Sequence, residues 1–326
     1  MSEDLSEDLS EDCFSKLKQR AKEAKEKLEA KKLENVEDSE TETINKSSST
    51  SAKVVTVDIF DIKSYRTDID SLNYPIFALA KNINRDTVTY EHQNIKMIIT
   101  PNSFGQATIF DKDVWIYCIS KLSQAIYQKK EVSPTIRFKM TEFLRLVSRK
   151  IDGTSPKRAK AAFDRLTGTR VKIEIKEGKK LVTHSFGLLE EWKTIEGENG
   201  VMEYIQVTLP QWIYNSVLKG QLKKIPITYF ELSKSLERRV YEVASKYCYN
   251  NPNWFFSLEL LHSRCGSKDT MRGFRRNIKN IAKEDKLPNY HIVFHADRDM
   301  VEFINRDQKV HEKAAKKADK PQQDND

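Results

Sequence analysis

The sequence predicts an α+β protein in which two units with the same order of helices and strands follow a disordered N-terminal tail. The chain has 326 residues, which is enough for two domains of ordinary size. Its hydrophobic share of 38% is slightly low for a fully globular chain, so we expect a polar extension beside an ordered body. Residues 2–12 (SEDLSEDLSED) and 47–51 (SSSTS) place that extension at the N-terminus.

The predicted tail spans residues 1–53. Residues 14–34 are rich in helix formers of mixed charge but supply few apolar side chains, so any helix there is solvated or induced by a partner. We place the first ordered unit at residues 54–222, the second at 223–308, and a polar C-terminal tail at 309–326.

Three helices are predicted in the first unit. Residues 108–111 (TIFD) resemble a capping box that opens the first helix. Residues 136–138 form a short strand, and residues 140–150 form the second helix. The third helix has Ser155 as its N-cap and ends at Gly168.

Two hairpins close the first unit. Residues 171–175 alternate between apolar and polar side chains, which is typical of a half-buried strand. Residues 177–180 form the turn, and residues 181–189 form the returning strand. A second, longer hairpin passes through residues 197–200 to a strand at 204–209.

The same order recurs in the second unit. After a short extended segment at residues 226–230, apolar stripes predict a long helix, a second helix at 256–265, and a third helix. Residues 291–294 and 300–304 form the closing hairpin. Three helices followed by a hairpin is the order of a winged-helix domain, so we predict two in tandem. The two units match in element order and not in residue identity.

The charge pattern favours nucleic acid as the partner. A formal net charge of +8 indicates a polyanion, with nucleic acid ahead of an anionic membrane. The third helix of the second unit places its cations on one predicted face, opposite the apolar stripe: Lys268, Arg272, Arg275, Arg276, Lys279 and Lys283. A solvated face is the alternative, but such faces usually mix charges of both signs. The pattern favours a recognition helix in which arginines contact guanines and lysines contact phosphates.

The corresponding helix of the first unit carries a weaker signal. Its candidate DNA-binding residues are Lys157, Arg158, Lys160 and Arg165. Asp164 and several alanines dilute the charge, so DNA contact and a solvated surface both stay open. Lys179 and Lys180 extend the basic patch along the following hairpin, where a wing would follow the phosphate backbone.

Motifs for catalysis, metals and cofactors are missing from the sequence. His291 and His295 are four residues apart in a strand pattern, whereas a DNA-nicking enzyme needs two histidines flanking one apolar residue. There is no H-E-x-x-H motif and no phosphate-binding G-x-x-x-x-G-K-[ST] loop. The four cysteines form no C-x-x-C pair, which favours reduced thiols in a cytoplasm. The sequence therefore predicts no cofactor and no metal, and apolar runs too short to span a membrane predict no membrane partner.

Several blocks resemble the plasmid replication initiator protein A family. In chain order they are residues 74–81 (YPIFALAK), 107–113 (ATIFDKD), 165–169 (RLTGT), 235–242 (SLERRVYE) and 287–290 (LPNY). The resemblance covers about residues 70–305 and leaves out the acidic tail. Residues 153–156 (GTSP) depart from it, because many relatives carry a tyrosine shortly after the glycine.

This resemblance implies a bacterial, non-enzymatic initiator built from tandem winged-helix domains. Such proteins bind repeated sites in double-stranded origin DNA, help to open an A·T-rich stretch, and recruit host replication proteins. The resemblance also implies a cytoplasmic, plasmid-associated protein and a homodimer as one of its states. A winged-helix transcriptional repressor and a DNA-nicking replication enzyme are the alternatives. The missing histidine pair weighs against the enzyme.

Overall fold

Helices and antiparallel strands alternate along the chain in the computed structural model, which describes residues 62, 64–79, 83–92, 94–146, 152–178, 180–198 and 202–318. These residues belong to one contiguous unit. The predicted N-terminal tail, Lys179 and residues 319–326 lie outside the described residues. We call residues 64–225 the first half and residues 226–318 the second half.

The first half contains most of the strands. Its strands are β1 (Tyr65–Asp68), β2 (Val88–His92), β3 (Ile95–Thr100), β4 (Thr135–Phe138), β5 (Arg170–Glu177), β6 (Lys180–Gly187), β7 (Glu191–Glu196), β8 (Met202–Thr208) and β9 (Leu222–Ile225). Its helices are α1 (Asp70–Asn73), α2 (Lys112–Tyr127), α3 (Met140–Leu146), α4 (Ser155–Gly168) and α5 (Gln211–Leu218).

These strands form separate antiparallel sheets. The first sheet has the strand order β2-β3-β5-β6, and the second has the order β4-β8-β7. A third sheet consists of β1 paired with β9. The hairpin directly after α4 therefore joins β3, and the later β7–β8 hairpin joins β4. The β5–β6 hairpin, which the sequence predicted as a wing, therefore lies in a different sheet from β4, whose own hairpin is β7–β8.

The register of the strands gives the physical reason for these two pairings. Ile173 of β5 lies opposite Met97 of β3, and all three alternating apolar residues of β5 are buried. Strand β8 buries Ile205 and Val207 in register with Phe138 and Ile136 of β4. Both hairpins alternate in the sequence, so alternation alone does not show which one pairs with β4.

Helix α2 lies at the centre of the first half. The side chains of Trp115, Tyr117 and Ile119 are fully buried. The ring of Trp115 makes edge-to-face contacts with Phe77 and Trp212, at centroid distances of 5.2 and 5.5 Å. Such aromatic contacts stabilise the core beyond the area they bury.

Two helices of the first half begin differently from the prediction. At α2, Asp111 Oδ2 accepts the backbone N–H of Thr108 at 2.8 Å, so the carboxylate caps the turn before the helix, which begins at Lys112. At α4 the N-cap is Thr154 rather than Ser155, and Ser155 is the first helical residue. The Ser155 hydroxyl accepts the backbone N–H of Asp152 at 3.1 Å and so fixes the preceding turn.

The second half has fewer strands and more helix. Its elements are α6 (Ser235–Tyr247), β10 (Asn253–Ser257), α7 (Leu258–Cys265), α8 (Met271–Glu284), β11 (Tyr290–His295), β12 (Met300–Asn305) and α9 (Gln308–Ala318). The strands form one antiparallel sheet in the order β10, β12, β11. Helix α8 packs on β11 and contributes Phe274 and Ile278 to the core.

Three predicted segments of the second half differ from the structure. Residues 253–257 form a strand that pairs with β12, and α7 begins at Leu258 because the Ser257 hydroxyl caps it by accepting Leu260 N–H at 3.2 Å. The segment predicted as extended at 226–230 is a 3₁₀ helix, Ile227–Glu231. Residues 308–318 form a helix where the sequence predicts a polar tail, and a 2.6 Å hydrogen bond from His311 to the Asn305 carbonyl holds it to β12.

Candidate nucleic-acid interface

Helix α8 has one apolar face and one basic face. Thr270 caps it by accepting Gly273 N–H at 3.2 Å, and Phe274, Ile278 and Ile281 are buried beneath it. The exposed basic side chains are Arg272, Arg276, Lys279 and Lys283. At 3.6 residues per turn these four cations lie opposite the buried side chains, so the core holds the helix and leaves its cations in solvent.

Lys268 does not belong to that face. It lies in the turn between α7 and α8, two residues before the N-cap, so the prediction that six cations share the helix was wrong for this residue. Its side chain is exposed. The neighbouring Asp269 carboxylate accepts a hydrogen bond from Asn277 Nδ2 at 2.9 Å. Asp269 is the one acidic residue between Lys268 and Lys283, and its carboxylate is hydrogen-bonded to Asn277.

Arg275 lies at the edge of the basic face and is paired. Its Nε and Nη2 atoms donate to the two carboxylate oxygens of Asp299 at 2.8 and 2.7 Å. The hydrogen bonds from Arg275 lower the pKa of Asp299, and the same contact raises the pKa of Arg275. Asp299 ends the β11–β12 turn, so this pair connects α8 to the hairpin.

The remaining cations of α8 differ in their surroundings. Lys279 Nζ lies 4.9 Å from the ring centroid of Phe294 on β11, and this cation–π contact leaves the ammonium at the surface. Arg272, Arg276 and Lys283 have no ion-pair partner within the described ranges. These three cations are free to meet an anion without first breaking an ion pair.

The predicted cations of the first half are mostly paired. Arg165 makes two 2.8 Å hydrogen bonds to Asp111 with only 18% of its side chain exposed, so this pair occupies its guanidinium. Lys160 lies 3.0 Å from Glu196, and Arg158 lies 3.2 Å from Asp152. Hydrogen bonding, mainly from Thr154, lowers the pKa of Asp152 to about 2.

Two predicted residues of the first half are exposed and form no ion pair with another described residue. Lys157 is exposed near the start of α4, and Lys180 is exposed at the start of β6. Strand β6 lies at the edge of the four-stranded sheet, so the structure places Lys180 in a different sheet from β4 and its hairpin. Among the predicted cations, the first half therefore has fewer that are exposed and unpaired than α8 has.

Arg298 is a surface cation that the prediction left out. It lies in the β11–β12 turn with 67% of its side chain exposed, 3.1 Å from the equally exposed Asp297. The sequence did indicate a turn at Asp297–Asp299, and an arginine in a turn is expected to be exposed. Because Arg275 holds Asp299 in the same turn, Arg298 is presented beside α8.

Two histidines of β11 lie beside carboxylates, and two cysteines are buried in the core. His291 lies 2.8 Å from Asp285, and His295 lies 2.9 Å from Glu302. Cys118 and Cys265 are buried, and burial raises the pKa of each thiol to about 12. In the part of the chain that the structure describes, no group of three or more His, Cys, Asp and Glu side chains could hold a metal ion. Nor is any helix there long and apolar enough to cross a bilayer.

Comparisons with known proteins agree with the resemblance seen in the sequence. The family model for replication initiator protein A matches residues 66–292, which is more than half of the chain. A replication protein of Wigglesworthia glossinidia brevipalpis is 34% identical over 249 residues, covering 75% of this chain and 90% of that protein.

Two solved structures of RctB domains 2 and 3 share the fold. One has a TM-score of 0.53 at 12% sequence identity and covers 70% of this chain and 94% of its own. The other has a TM-score of 0.51 at 13% identity and covers 72% and 97% of the two chains. Together with the extent of the family match and the identity to a replication protein, these findings show that the chain belongs to the replication initiator protein A family.

Proposed function

We propose that this protein initiates plasmid replication by binding repeated sites in double-stranded origin DNA. The observation that carries the proposal is α8, whose basic face is exposed while its apolar face is buried. An α-helix of this kind fits the major groove of B-DNA, where arginine pairs with guanine O6 and N7. Arg272 and Arg276 are the candidates for base contacts, and Lys279 and Lys283 are the candidates for phosphate contacts.

We propose that each half contains one winged-helix domain, corresponding to the predicted units 54–222 and 223–308. Each has the order helix, strand, helix, helix, hairpin. In each, the strand before the second helix pairs with the last strand of the hairpin, which gives the matching sheets β4-β8-β7 and β10-β12-β11. In the first half, the β5–β6 hairpin is inserted between the third helix and the wing.

The two halves would divide the contacts with DNA. The second half would supply base contacts through α8 and a phosphate contact through Arg298 in its wing. The first half would contribute Lys157 and Lys180 to phosphates, while Arg165 keeps its structural pair with Asp111. This division places most sequence recognition in the second half.

The family assignment supports the wider proposal. The bound protein would help to open an adjacent A·T-rich segment and recruit host replication proteins in the bacterial cytoplasm, and a homodimer is proposed as one of its states. The protein is proposed to act without catalysis or a cofactor. Nicking of supercoiled origin DNA by highly purified protein in the presence of Mg²⁺ would contradict that part.

Selection from random double-stranded oligonucleotides tests the central proposal. We expect a single preferred sequence to be enriched, and footprinting should then show repeated copies of it beside an A·T-rich segment on the DNA that encodes the protein. Lys130→Ala is a matched control, because this exposed lysine after α2 removes one charge outside α8. Enrichment of no sequence, or equal enrichment by an Arg272→Ala/Arg276→Ala variant, would refute DNA recognition by α8.

A further inference from the structure

Five charged side chains are buried together where the two halves meet. We call them the inter-half cluster: Lys112, Asp113, Arg238, Arg239 and Glu242. Lys112 and Asp113 begin α2 in the first half, whereas the other three lie on α6 in the second half. None of the side chains is more than 3% exposed.

Two ion pairs of the cluster cross between the halves. Glu242 Oε1 accepts Lys112 Nζ at 2.7 Å and the Tyr229 hydroxyl at 3.1 Å, and its Oε2 accepts Arg239 Nη1 at 3.1 Å. Arg238 Nη1 donates to Asp113 Oδ1 at 2.6 Å. Each carboxylate thus faces a cation of the opposite half.

Arg238 is held in place by further contacts. Its Nε and Nη2 atoms donate to backbone carbonyls at 2.9 and 3.1 Å, and its guanidinium lies over the ring of Phe110 at 4.5 Å. The cost of removing two charges from water offsets much of the attraction within a buried ion pair. Apolar residues of similar size often stabilise a protein at least as much as such a pair does. The gain from such a cluster is geometric, because its directional bonds are satisfied in one arrangement of the two halves.

The cluster is also connected to the end of α7, which leads into α8. Arg239 donates two hydrogen bonds to the carbonyl of Arg264, at 3.2 and 2.8 Å, and one to the carbonyl of Leu72 in the first half at 3.2 Å. Gly266 follows in the turn that leads to α8, and a Cβ there would collide with Pro75 of the first half. The segment before α8 is therefore fixed against the first half on both sides.

We propose that the inter-half cluster sets the distance and rotation between the two DNA segments that the two halves contact. Lys112, Asp113, Arg238 and Glu242 would then be positioning residues that touch no DNA. This inference rests on the proposed DNA binding and adds a rule for it. The protein should tolerate few changes in the spacing between the two halves of its site.

The geometry of B-DNA makes this rule measurable. One turn takes about 10.5 base pairs, so each inserted base pair separates the two segments by about 3.4 Å and rotates them by about 34°. A rigid pair of domains loses one set of contacts after an insertion of half a turn. A loosely connected pair keeps both sets, at a lower effective concentration.

The test compares Lys112→Met with Lys121→Met. Both lysines are buried on α2, but Lys121 pairs with Glu142 inside the first half at 3.4 Å. Each variant is titrated on the selected site and on versions with one to five base pairs inserted between the two segments. Base pairs at which Arg272→Ala or Arg276→Ala changes the preference identify the segment that α8 contacts.

We expect wild type and Lys121→Met to lose about a hundredfold in affinity after a five-base-pair insertion. Lys112→Met should bind the uninterrupted site about tenfold more weakly than wild type and lose less than about tenfold on insertion. Its affinity for the α8 segment alone should equal that of wild type. Identical spacing profiles for Lys112→Met and wild type would overturn the inference.

Three further outcomes are distinguishable. If Lys112→Met does not unfold cooperatively, the isosteric Asp113→Asn replaces it, and failure of both variants to fold overturns the inference, because the cluster would then serve folding. If wild-type protein enriches no sequence from random DNA, the proposed function fails and this inference falls with it. Specific binding by wild type with a flat spacing profile refutes the inference alone.

Discussion

The partner of each arginine decides what that residue offers to DNA. Arg272 and Arg276 are exposed and unpaired within the described residues, whereas Arg275 and Arg165 each make two hydrogen bonds to an aspartate. The local sequence shows four similar arginines. The partner of Arg275, Asp299, is 24 residues away in the sequence, and the partner of Arg165, Asp111, is 54 residues away. No local pattern could therefore distinguish unpaired arginines from arginines in ion pairs.

Replacing the free arginines and the lysines of α8 should have different effects. We expect Arg272→Ala or Arg276→Ala to cost about 1–3 kcal/mol on the selected site and to relax the preference at one base pair. Lys279→Ala or Lys283→Ala should weaken selected and scrambled DNA equally and reduce the salt slope by about one. Arg275→Ala should also leave base preference intact, because Asp299 occupies its guanidinium.

Binding titrations at several salt concentrations, on selected and scrambled DNA, distinguish these effects. Lys130→Ala serves as the charge-matched control and should match wild type on both DNAs. Wild-type affinity and salt slope in every α8 variant would show that this helix does not contact DNA.

Lys223 should make stability depend on pH. Burial, with a smaller contribution from Lys246, lowers its pKa to about 7, while its ammonium lies 3.1 Å from the ring centroid of Tyr249. An unfolded lysine has a pKa of about 10.4, so the unfolded chain binds more protons between pH 7 and 10. The contribution of this group to the free energy of unfolding should therefore rise with pH across that window, and its penalty is complete below pH 7.

Lys223→Met should remove this contribution. We expect the variant to be more stable than wild type at pH 6 by on the order of 1 kcal/mol, after allowance for its partial exposure, and the difference to shrink towards pH 10. Urea unfolding at pH 6, 8 and 10 measures the difference. A constant offset across these three pH values would contradict the lowered pKa.

At the scale of single elements, periodicity predicted the helices better than the strands. The spacing of Phe274, Ile278 and Ile281 predicted α8 correctly, because all three pack into the core of their own half. Strand β10 was missed because its aromatic residues run directly into the leucines of α7, and its pairing with β12 is non-local. Strand pairing depends on distant residues, and local propensity does not contain that information.

The turn between α7 and α8 depends on its glycine. Gly266 has φ +64°, and a Cβ there would meet Tyr90 Oη at 2.9 Å as well as Pro75. We expect Gly266→Ala to lower the free energy of unfolding by about 1–3 kcal/mol, because alanine is strained in the left-handed region. Gly153→Ala is the control, since Gly153 has no positive φ and nothing within 4 Å of its Cβ position.

Urea unfolding of both glycine variants measures this difference. Gly153→Ala should stay within about 0.5 kcal/mol of wild type. Equal midpoints for the two variants would show that the turn accommodates a side chain, and the contact between the α7–α8 turn and the first half would then be looser than the structure indicates.

At the scale of the whole molecule, two distant blocks of the sequence contact each other. The blocks 107–113 and 235–242, which carry the family resemblance, together contain the five residues of the inter-half cluster. The sequence indicates the family and the main helices of each half. It does not show that Lys112 and Glu242, 130 residues apart, form an ion pair, because a contact between two halves has no local signature.

The N-terminal tail should be dispensable for folding and for specific binding. Residues 1–53 contain few apolar side chains to join a core, and the family match begins only at residue 66. The acidic repeat at residues 2–12 carries the same sign of charge as DNA, so it opposes the approach of DNA to the basic surface.

A truncation that starts at Val54 should keep its melting cooperativity and bind the selected site within about twofold of the full chain. On scrambled DNA at low salt it should bind more tightly than the full chain, because a repulsive contribution has been removed. Thermal unfolding and parallel titrations of the two proteins measure these outcomes. Loss of cooperative unfolding, or a large loss of affinity for the selected site, would show that the tail is part of the folded and DNA-bound protein.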